Sequence, residues 1–178
     1  MDHITGVSPR IFSHVLTTAP HFEYRVEPLV ASNDRTAFHS GVPELDRYIH
    51  HQAGQDARRK VAAPFVMLDS SGAILGYYTL SAYSIQLARY PRLPATLLGR
   101  LAISSTCRGQ NLGRFLLMDA LHRSWTITSQ IASVGVVVEA LDETARSFYL
   151  HHEFVPLQDH PNKLFLAMLT IEKAFNLT

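Results

Sequence analysis

The segment Arg108-Gly109-Gln110-Asn111-Leu112-Gly113 follows a strand-like run and opens a helical pattern. Small residues at a helix start leave the first backbone N–H groups bare, and the helix dipole favours an anion there. Arg108 and Arg114 add positive charge beside the same place. The expected ligand is therefore a phosphate group. The loop lacks the Lys-Ser/Thr ending of a nucleotide P-loop and the Gly-x-Gly-x-x-Gly spacing of a dinucleotide site. Of the diphosphates, coenzyme A fits it better than ATP, GTP or NAD.

Other reactive side chains read more plainly. The ten histidines include the pairs His50-His51 and His151-His152, and neighbours along a helix do not face one another. No His-Glu-x-x-His spacing occurs, so no metal is expected. Cys107 has no evident activating base and reads as a structural thiol. Arg58-Arg59-Lys60 is the densest basic run, with Arg89, Arg92 and Arg100 further on. Such residues form either a solvated helix end or a track for nucleic-acid phosphates. By spacing alone, Tyr149 is a core aromatic sharing one helical face with Ala145 and Phe148.

These residues must be positioned by a chain of 178 residues that is 47% hydrophobic and 17% charged. That is the length of one domain with a sizeable core, and the composition excludes intrinsic disorder. One cysteine excludes a disulfide framework and a multi-cysteine zinc site. No apolar run reaches the roughly eighteen residues of a membrane span, and the start of the chain lacks the pattern of a secretory signal. A cytoplasmic protein without a membrane partner is expected. The net charge of +1 means that nucleic acid would be held by a local patch. Residues 1–22, interrupted by Pro9 and Pro20, show no steady period and are expected to form an N-terminal arm. Residues 23–178 are expected to form a single domain.

Periodicity supplies the elements. Residues 22–29 alternate and predict a first strand ending at Pro28. Pro43 opens a helix in which Leu45, Tyr48, Ile49 and Gln52 lie three and four apart, continuing to residue 59 despite Gly54. Residues 63–68 and 73–87 predict antiparallel strands joined by a turn at Asp69-Ser70-Ser71-Gly72. A loop is expected over 89–94, then a strand over 96–103 whose interior Gly99 predicts a bulge or a close backbone approach. The helix after the loop carries the apolar stripe Leu112, Phe115, Leu116 and Ala120. Residues 134–138 are a β-branched run suited to a central strand buried on both faces. Asp142 is placed to cap a short helix, and strands over 154–157 and 164–170 end the chain. The order β-α-β-β-β-α-β-α-β-β predicts an α/β, or mixed α+β, domain.

The phosphate loop, followed by an Ala-x-x-Phe-Tyr helix that leads into a strand, resembles the GNAT acetyltransferase superfamily. Three further segments resemble one branch of it: Gly41-Val42-Pro43-Glu44-Leu45-Asp46-Arg47-Tyr48, Gly76-Tyr77-Tyr78-Thr79-Leu80-Ser81-Ala82, and the stretch from Tyr90-Pro91-Arg92 through Gly99-Arg100-Leu101-Ala102-Ile103. That branch is the GNAT toxins of type II toxin–antitoxin modules. The resemblance spans roughly residues 35–170 in several separated motifs.

The resemblance implies the GNAT fold, a twisted mixed central sheet flanked by helices. It implies acetyl transfer from acetyl-CoA to the α-amine of an aminoacyl-tRNA, which blocks translation. Leu101, Ala102 and Ile103 would offer backbone groups to the pantetheine and the thioester carbonyl, in a cleft opened by a splayed strand near Gly99. Arg108, Gly109, Gln110, Asn111, Leu112 and Gly113 would hold the pyrophosphate with Arg114 beside them, and Asp142, Ala145 and Phe148 would complete the cofactor site. Tyr149 matches the family's active-site tyrosine, a general acid for the departing thiolate. Tyr77, Tyr78 and Tyr83 on the long strand read as packing residues, with one of them open to lining the acceptor side. Arg58, Arg59, Lys60, Arg89 and Arg92 would meet tRNA phosphates. A ribbon-helix-helix antitoxin and a homodimer are the partners implied. Two positions depart from the pattern: Asn111 and Glu153 stand where the family has glycine. Two alternatives follow: an N-acetyltransferase for a small amine or a protein N-terminus, and a weakened domain acting mainly as a binding module.

Overall fold

The computed structural model describes residues 24–87, 90–158 and 160–176, so the expected arm over 1–22 lies outside the described residues. Seven strands form one sheet in the order β1-β2-β3-β4-β5-β7-β6. They are β1 (Arg25–Pro28), β2 (Ala63–Leu68), β3 (Ile74–Leu87), β4 (Tyr90–Ile103), β5 (Gly135–Glu139), β6 (Val155–Leu157) and β7 (His160–Ala167). Every neighbouring pair is antiparallel except β4 and β5, which run parallel. A mixed sheet flanked by helices is the architecture that the sequence predicts.

Each face of the sheet is covered by helices whose apolar stripe faces it. On one face lie α1 (Pro43–Arg47), a π-helical turn (Tyr48–Gln52) and α2 (Ala53–Arg59). Their Leu45, Tyr48, Ile49 and Ala53 pack with Val66, Tyr77 and Ala102 of the sheet. On the other face lie α3 (Leu112–Thr126), α4 (Glu143–His151) and α5 (Met168–Asn176). Leu112, Leu116, Leu117 and Leu121 of α3 pack with Met67, Tyr78, Leu98 and Val136. A polar link fixes α3 to the strands beneath it. Tyr78 donates its hydroxyl proton to Asp119, and Arg123 donates to Asp119 at 2.8 Å and to the Val26 carbonyl of β1 at 3.0 Å.

Four expectations need correction. Residues 164–170 are not one strand: β7 ends at Ala167 and α5 begins at Met168. Thr170 and Ile171 are β-branched and mimic a strand locally, yet Met168, Ile171 and Phe175 recur at helical spacing, and Phe175 stacks on Trp125 of α3 at 5.8 Å. The stretch 89–94 is not a loop throughout, because β4 begins at Tyr90 and Leu93 pairs with Ile85. Its prolines are tolerated because β5 joins β4 only from Thr96 on, so a two-sided ladder is not required there. Phe115 is 47% exposed; the buried stripe of α3 runs through Leu117 and Leu121, on the far side of the helix. Tyr24 of the expected first strand lies before β1, which begins at Arg25, and residues 22 and 23 lie outside the described residues.

The end of α4 is closed by a Schellman motif. Glu153 donates its N–H to the Leu150 carbonyl at 3.1 Å, and Phe154 donates to the Tyr149 carbonyl at 3.2 Å. Phe154 also packs its ring on Tyr149, with centroids 5.4 Å apart, the apolar contact that usually accompanies this ending. The motif needs a left-handed residue after the cap, and Glu153 supplies it with φ of +66°. A glutamate there carries the Cβ clash that glycine lacks. Glu153→Gly is expected to stabilise the fold by about 1 kcal/mol and to raise the thermal midpoint by roughly 2–4 °C. A midpoint that stays put or falls in thermal unfolding would show that the Glu153 side chain makes a compensating contact.

Candidate active site

β4 makes the site by leaving its neighbour. Its parallel pairing with β5 covers Thr96↔Val136, Leu97↔Val137 and Leu98↔Val138, and then ends. On the other edge, Thr79 pairs with Arg100 and Leu80 with Leu98, so Gly99 is the extra residue of a β-bulge. A bulge bends its strand and increases the local twist, which carries Arg100–Ile103 away from β5 and opens a cleft. A Cβ at Gly99 would meet Thr79 Oγ1 at 3.1 Å, so the bulge is packed against β3. The bulge that the sequence predicts at Gly99 is therefore present, and the cleft starts one residue beyond the last β4–β5 pair.

The loop from Arg108 to Gly113 stands at one end of this cleft. Asn111 takes the left-handed conformation, φ +59° and ψ +12°, and is the residue before the first turn of α3. Asparagine tolerates that conformation better than most residues, so the departure from glycine leaves the turn intact. The turn presents the first N–H groups of α3, which no helical ladder can occupy. A Cβ at Gly113 would lie 3.8 Å from the Phe148 ring and 3.9 Å from Ile103 Cγ1. Thus β4, the start of α3, and α4 converge at this glycine. Gly109 has φ of +79°, with open space where a Cβ would stand. Bare donors, open backbone and an apolar wall from Ile103 and Phe148 fit a pyrophosphate joined to a flexible arm.

Arg108 does not point its charge simply into solvent. Its guanidinium donates to the Ser40 carbonyl at 2.6 Å and ties the loop to the segment before α1. Ser105 donates its N–H to the His39 carbonyl at 2.8 Å beside it. In the same segment Asp46 accepts from the Ser40 hydroxyl at 2.6 Å and from its N–H at 2.7 Å, and lies 2.6 Å from His39 Nδ1. Burial opposes ionisation of Asp46, yet Ser40 and His39 together hold its carboxyl below the usual range. Serine here bonds the carboxylate rather than the imidazole, so the trio is an anchor and not a nucleophilic relay.

α4 carries Tyr149 next to Phe148, the ring that faces Gly113. Asp142 caps the helix by accepting the Ala145 N–H at 2.7 Å, as its position predicts. Tyr149 is buried between Phe148 and Phe154. Burial alone raises its phenol above the ordinary value of 10, so the side chain is a neutral O–H throughout the physiological range. His152, one turn on, donates Nδ1–H to the Phe148 carbonyl at 2.7 Å. Burial lowers its pKa from 6.5, despite that hydrogen bond, and leaves it neutral too. Sequence reasoning had no role for His152; the signal was its i+4 spacing from Phe148.

The basic residues are dispersed. Arg58, Arg59 and Lys60 are exposed at the end of α2, and Arg92 is exposed near the start of β4. Arg89 lies outside the described residues. Ala63 pairs with Leu80 and Leu93 with Ile85, so the two groups sit about 17 Å apart along β3. Arg100 is otherwise engaged, its guanidinium 3.7 Å above the Tyr48 ring. No group of three or more His, Cys, Asp or Glu residues able to hold a metal occurs among the described residues. No helix among them is long and apolar enough to cross a membrane.

With this geometry in view, comparison with known proteins is specific. No family model matches the chain. The chain is 32% identical over 146 residues to the tRNA-acetylating toxin of Mycobacterium tuberculosis (strain ATCC 25618 / H37Rv), covering 77% of this chain and 87% of that protein. A tyrosine-to-phenylalanine mutant of the toxin AtaT, solved with acetyl-CoA and the C-terminus of the antitoxin AtaR, matches with a TM-score of 0.79 and 29% identity over 85% of this chain and 98% of that one. AtaT complexed with acetyl-methionyl-tRNAfMet matches with a TM-score of 0.80 and 27% identity over 86% and 99%. The chain therefore belongs to the GNAT acetyltransferases, in the branch of tRNA-acetylating toxins.

Proposed function

We propose that this chain transfers the acetyl group of acetyl-CoA to the α-amine of an aminoacyl-tRNA and so stops that tRNA from serving translation. The observation that carries the reading is the cleft between β4 and β5, with the bare start of α3 at one end and the neutral phenol of Tyr149 on α4. The names of the relatives support it. The backbone of Arg108–Gly113 holds the pyrophosphate, with Arg114 beside it. Leu101, Ala102 and Ile103 carry the pantetheine arm along β4, where a backbone N–H steadies the thioester oxygen as charge develops on it. Asp142 fixes the start of α4, and Ala145 and Phe148 present its cofactor-facing side. The domain runs over 23–178. In the cell it is cytoplasmic, homodimeric and neutralised by a ribbon-helix-helix antitoxin. Arg58, Arg59, Lys60, Arg89 and Arg92 meet tRNA phosphates.

The proton accounting follows from the buried phenol. The neutral amine attacks the acetyl carbon and a C–N bond forms. The C–S bond breaks with its electron pair on sulfur, which takes the proton of Tyr149. The phenolate then takes the surplus proton from the new amide nitrogen, and the phenol is restored. A free thiol titrates near about 8.5 and Tyr149 above 10, so handing over the proton alone runs uphill by at least about 2 kcal/mol. Loss of the amine's proton must therefore accompany the transfer, which couples nucleophile and leaving group through one hydroxyl. Asn111 and Glu153 both adopt the left-handed conformation that a glycine would take, which supports an active enzyme over a weakened binding module.

Tyr149→Phe is expected to fold and bind acetyl-CoA normally but to lose at least about a hundred-fold in turnover of charged tRNA. Near wild-type acetylation by the purified variant, read by mass spectrometry of the tRNA, would return Tyr149 to a packing role. Gly113→Asp is expected to abolish acetyl-CoA binding in titration calorimetry, since it sets a carboxylate at the phosphate end of α3 and a side chain against Phe148; unchanged affinity would remove the loop from the cofactor site. The pH profile follows from the raised phenol pKa: Tyr149 stays protonated below pH 10, so kcat/KM should climb as the amine deprotonates and show no falling limb up to about pH 9. A descending limb with a midpoint below pH 9 would show that another acid controls the step.

A further inference from the structure

The strap of residues 38–41 before α1 is bonded, carbonyl by carbonyl, to three different parts of the fold. The Phe38 carbonyl accepts from His50 Nε2 of the π-helical turn at 2.9 Å. The His39 carbonyl accepts the Ser105 N–H at 2.8 Å. The Ser40 carbonyl accepts from Arg108 Nη2 at 2.6 Å, across 68 positions of chain. Phe38 is itself buried and sets its ring edge-on to Tyr77 of β3, with centroids 5.5 Å apart. The strap is thus fixed from the core outward, and the loop 108–113 hangs from the Ser40 carbonyl.

Behind that carbonyl stands a buried carboxylate. Asp46 of α1, only 6% exposed, accepts both the N–H and the hydroxyl of Ser40 on Oδ1, and the Gly41 N–H faces it as well. The Gly41 N–H and the Ser40 carbonyl belong to one peptide unit. Asp46 stands at the donor end of that unit and the Arg108 guanidinium at its acceptor end, an ion pair with a peptide plane between the charges. Each charge polarises the shared peptide and strengthens the bond on the far side. Gly41 makes room for this: its φ is +84°, and a Cβ there would lie 3.1 Å from Arg108 Nη2. The loop gains from such a hold. Gly109, Gln110 and Asn111 are exposed, and Gly109 and Asn111 both take positive φ. Backbone of this kind loses conformational freedom when a ligand orders it, and that loss lowers affinity unless the shape is set beforehand. The far end of the loop is fixed by α3, and the near end by Arg108.

Resting on the reading of 108–113 as the pyrophosphate loop, we propose that Asp46 is a positioning residue for acetyl-CoA: through the peptide joining Ser40 to Gly41 it holds Arg108, and so keeps the loop in its phosphate-binding shape. Asp46 acts from behind the strap and touches neither donor nor acceptor. Its removal therefore weakens donors that carry a pyrophosphate and spares donors that lack one.

The test measures kcat and KM for acetylation of charged tRNA with two donors: acetyl-CoA, and S-acetyl-pantetheine, which has the same thioester arm and no pyrophosphate. Asp46→Ala is expected to raise KM for acetyl-CoA at least about tenfold, a difference of roughly 1.4 kcal/mol, with kcat and the kcat/KM for S-acetyl-pantetheine each within about twofold of wild type. A partly unfolded preparation lowers both donors alike, so their ratio within one variant reads the loop and not the folded fraction. Asp46→Asn keeps the side-chain shape and an acceptor for Ser40 but not the charge; it should show the same selective loss at about threefold or more, and it carries the test if Asp46→Ala does not fold. In an Arg108→Ala background, Asp46→Ala should add less than about twofold, because its effect reaches the loop through Arg108. Equal losses for the two donors, or additive losses in the double variant, would overturn the proposal while leaving the pyrophosphate loop standing. A wild-type chain that uses both donors equally well would overturn the loop reading itself, and the proposal with it.

Discussion

A parallel pair of strands is stable only while its slanted hydrogen bonds continue, and in this protein β4 and β5 share just Thr96 to Leu98 on one side and Val136 to Val138 on the other. One surplus residue, Gly99, then turns β4 aside. The consequences reach both faces of the sheet. Beyond the seam, the backbone of Leu101–Ile103 is released from β5 and becomes available to a ligand. Before the seam, Leu97 and Val137 pair and pack with Ile85 and Ala95 on the opposite face.

The phenol of α4 is held by the two ends of its helix and by neighbouring rings. Asp142 fixes the first turn of α4 and the Schellman ending fixes the last. Between them the ring of Tyr149 is wedged by Phe148 and Phe154. Position is set by backbone and ring contacts, and the pKa by burial alone. Tyr78 makes the useful contrast. It is buried too, but its hydroxyl donates a hydrogen bond to Asp119 in a network with Arg123 that secures α3.

What could be read in the sequence was what depends on local pattern. The β-branched run of β5, the glycine inside β4, the Asp142 cap and the turn at Asp69–Gly72 each carry their cause within a few residues. Spacing alone makes Tyr149 a core aromatic, and its role as an acid comes only from the motif resemblance. The misses share a different cause. The helix at Met168–Asn176 contains β-branched residues and is decided by packing on Trp125, in another helix. Pro91 and Pro94 lie inside a strand because the neighbour of β4 arrives late. Arg108 turns to Ser40, and Lys163 reaches Tyr83, across separations in sequence that no window of residues can see.

The brevity of the seam has a mechanical meaning. β1–β4 with α1 and α2 form one plate, β5–β7 with α4 and α5 form another, and α3 lies across the join. Three residue pairs are a small hinge for two plates of this size. In the proposed cofactor site a donor would touch β4 on one plate and α4 on the other, and so would act as a clasp as well as a reagent. Ligand binding to the folded state adds stability in proportion to the logarithm of ligand concentration. The resistance of this protein to unfolding, and to the proteases that sample its open forms, is therefore tied to the supply of the acetyl donor: the toxin is sturdiest in a well-fed cell and softest when that pool runs down.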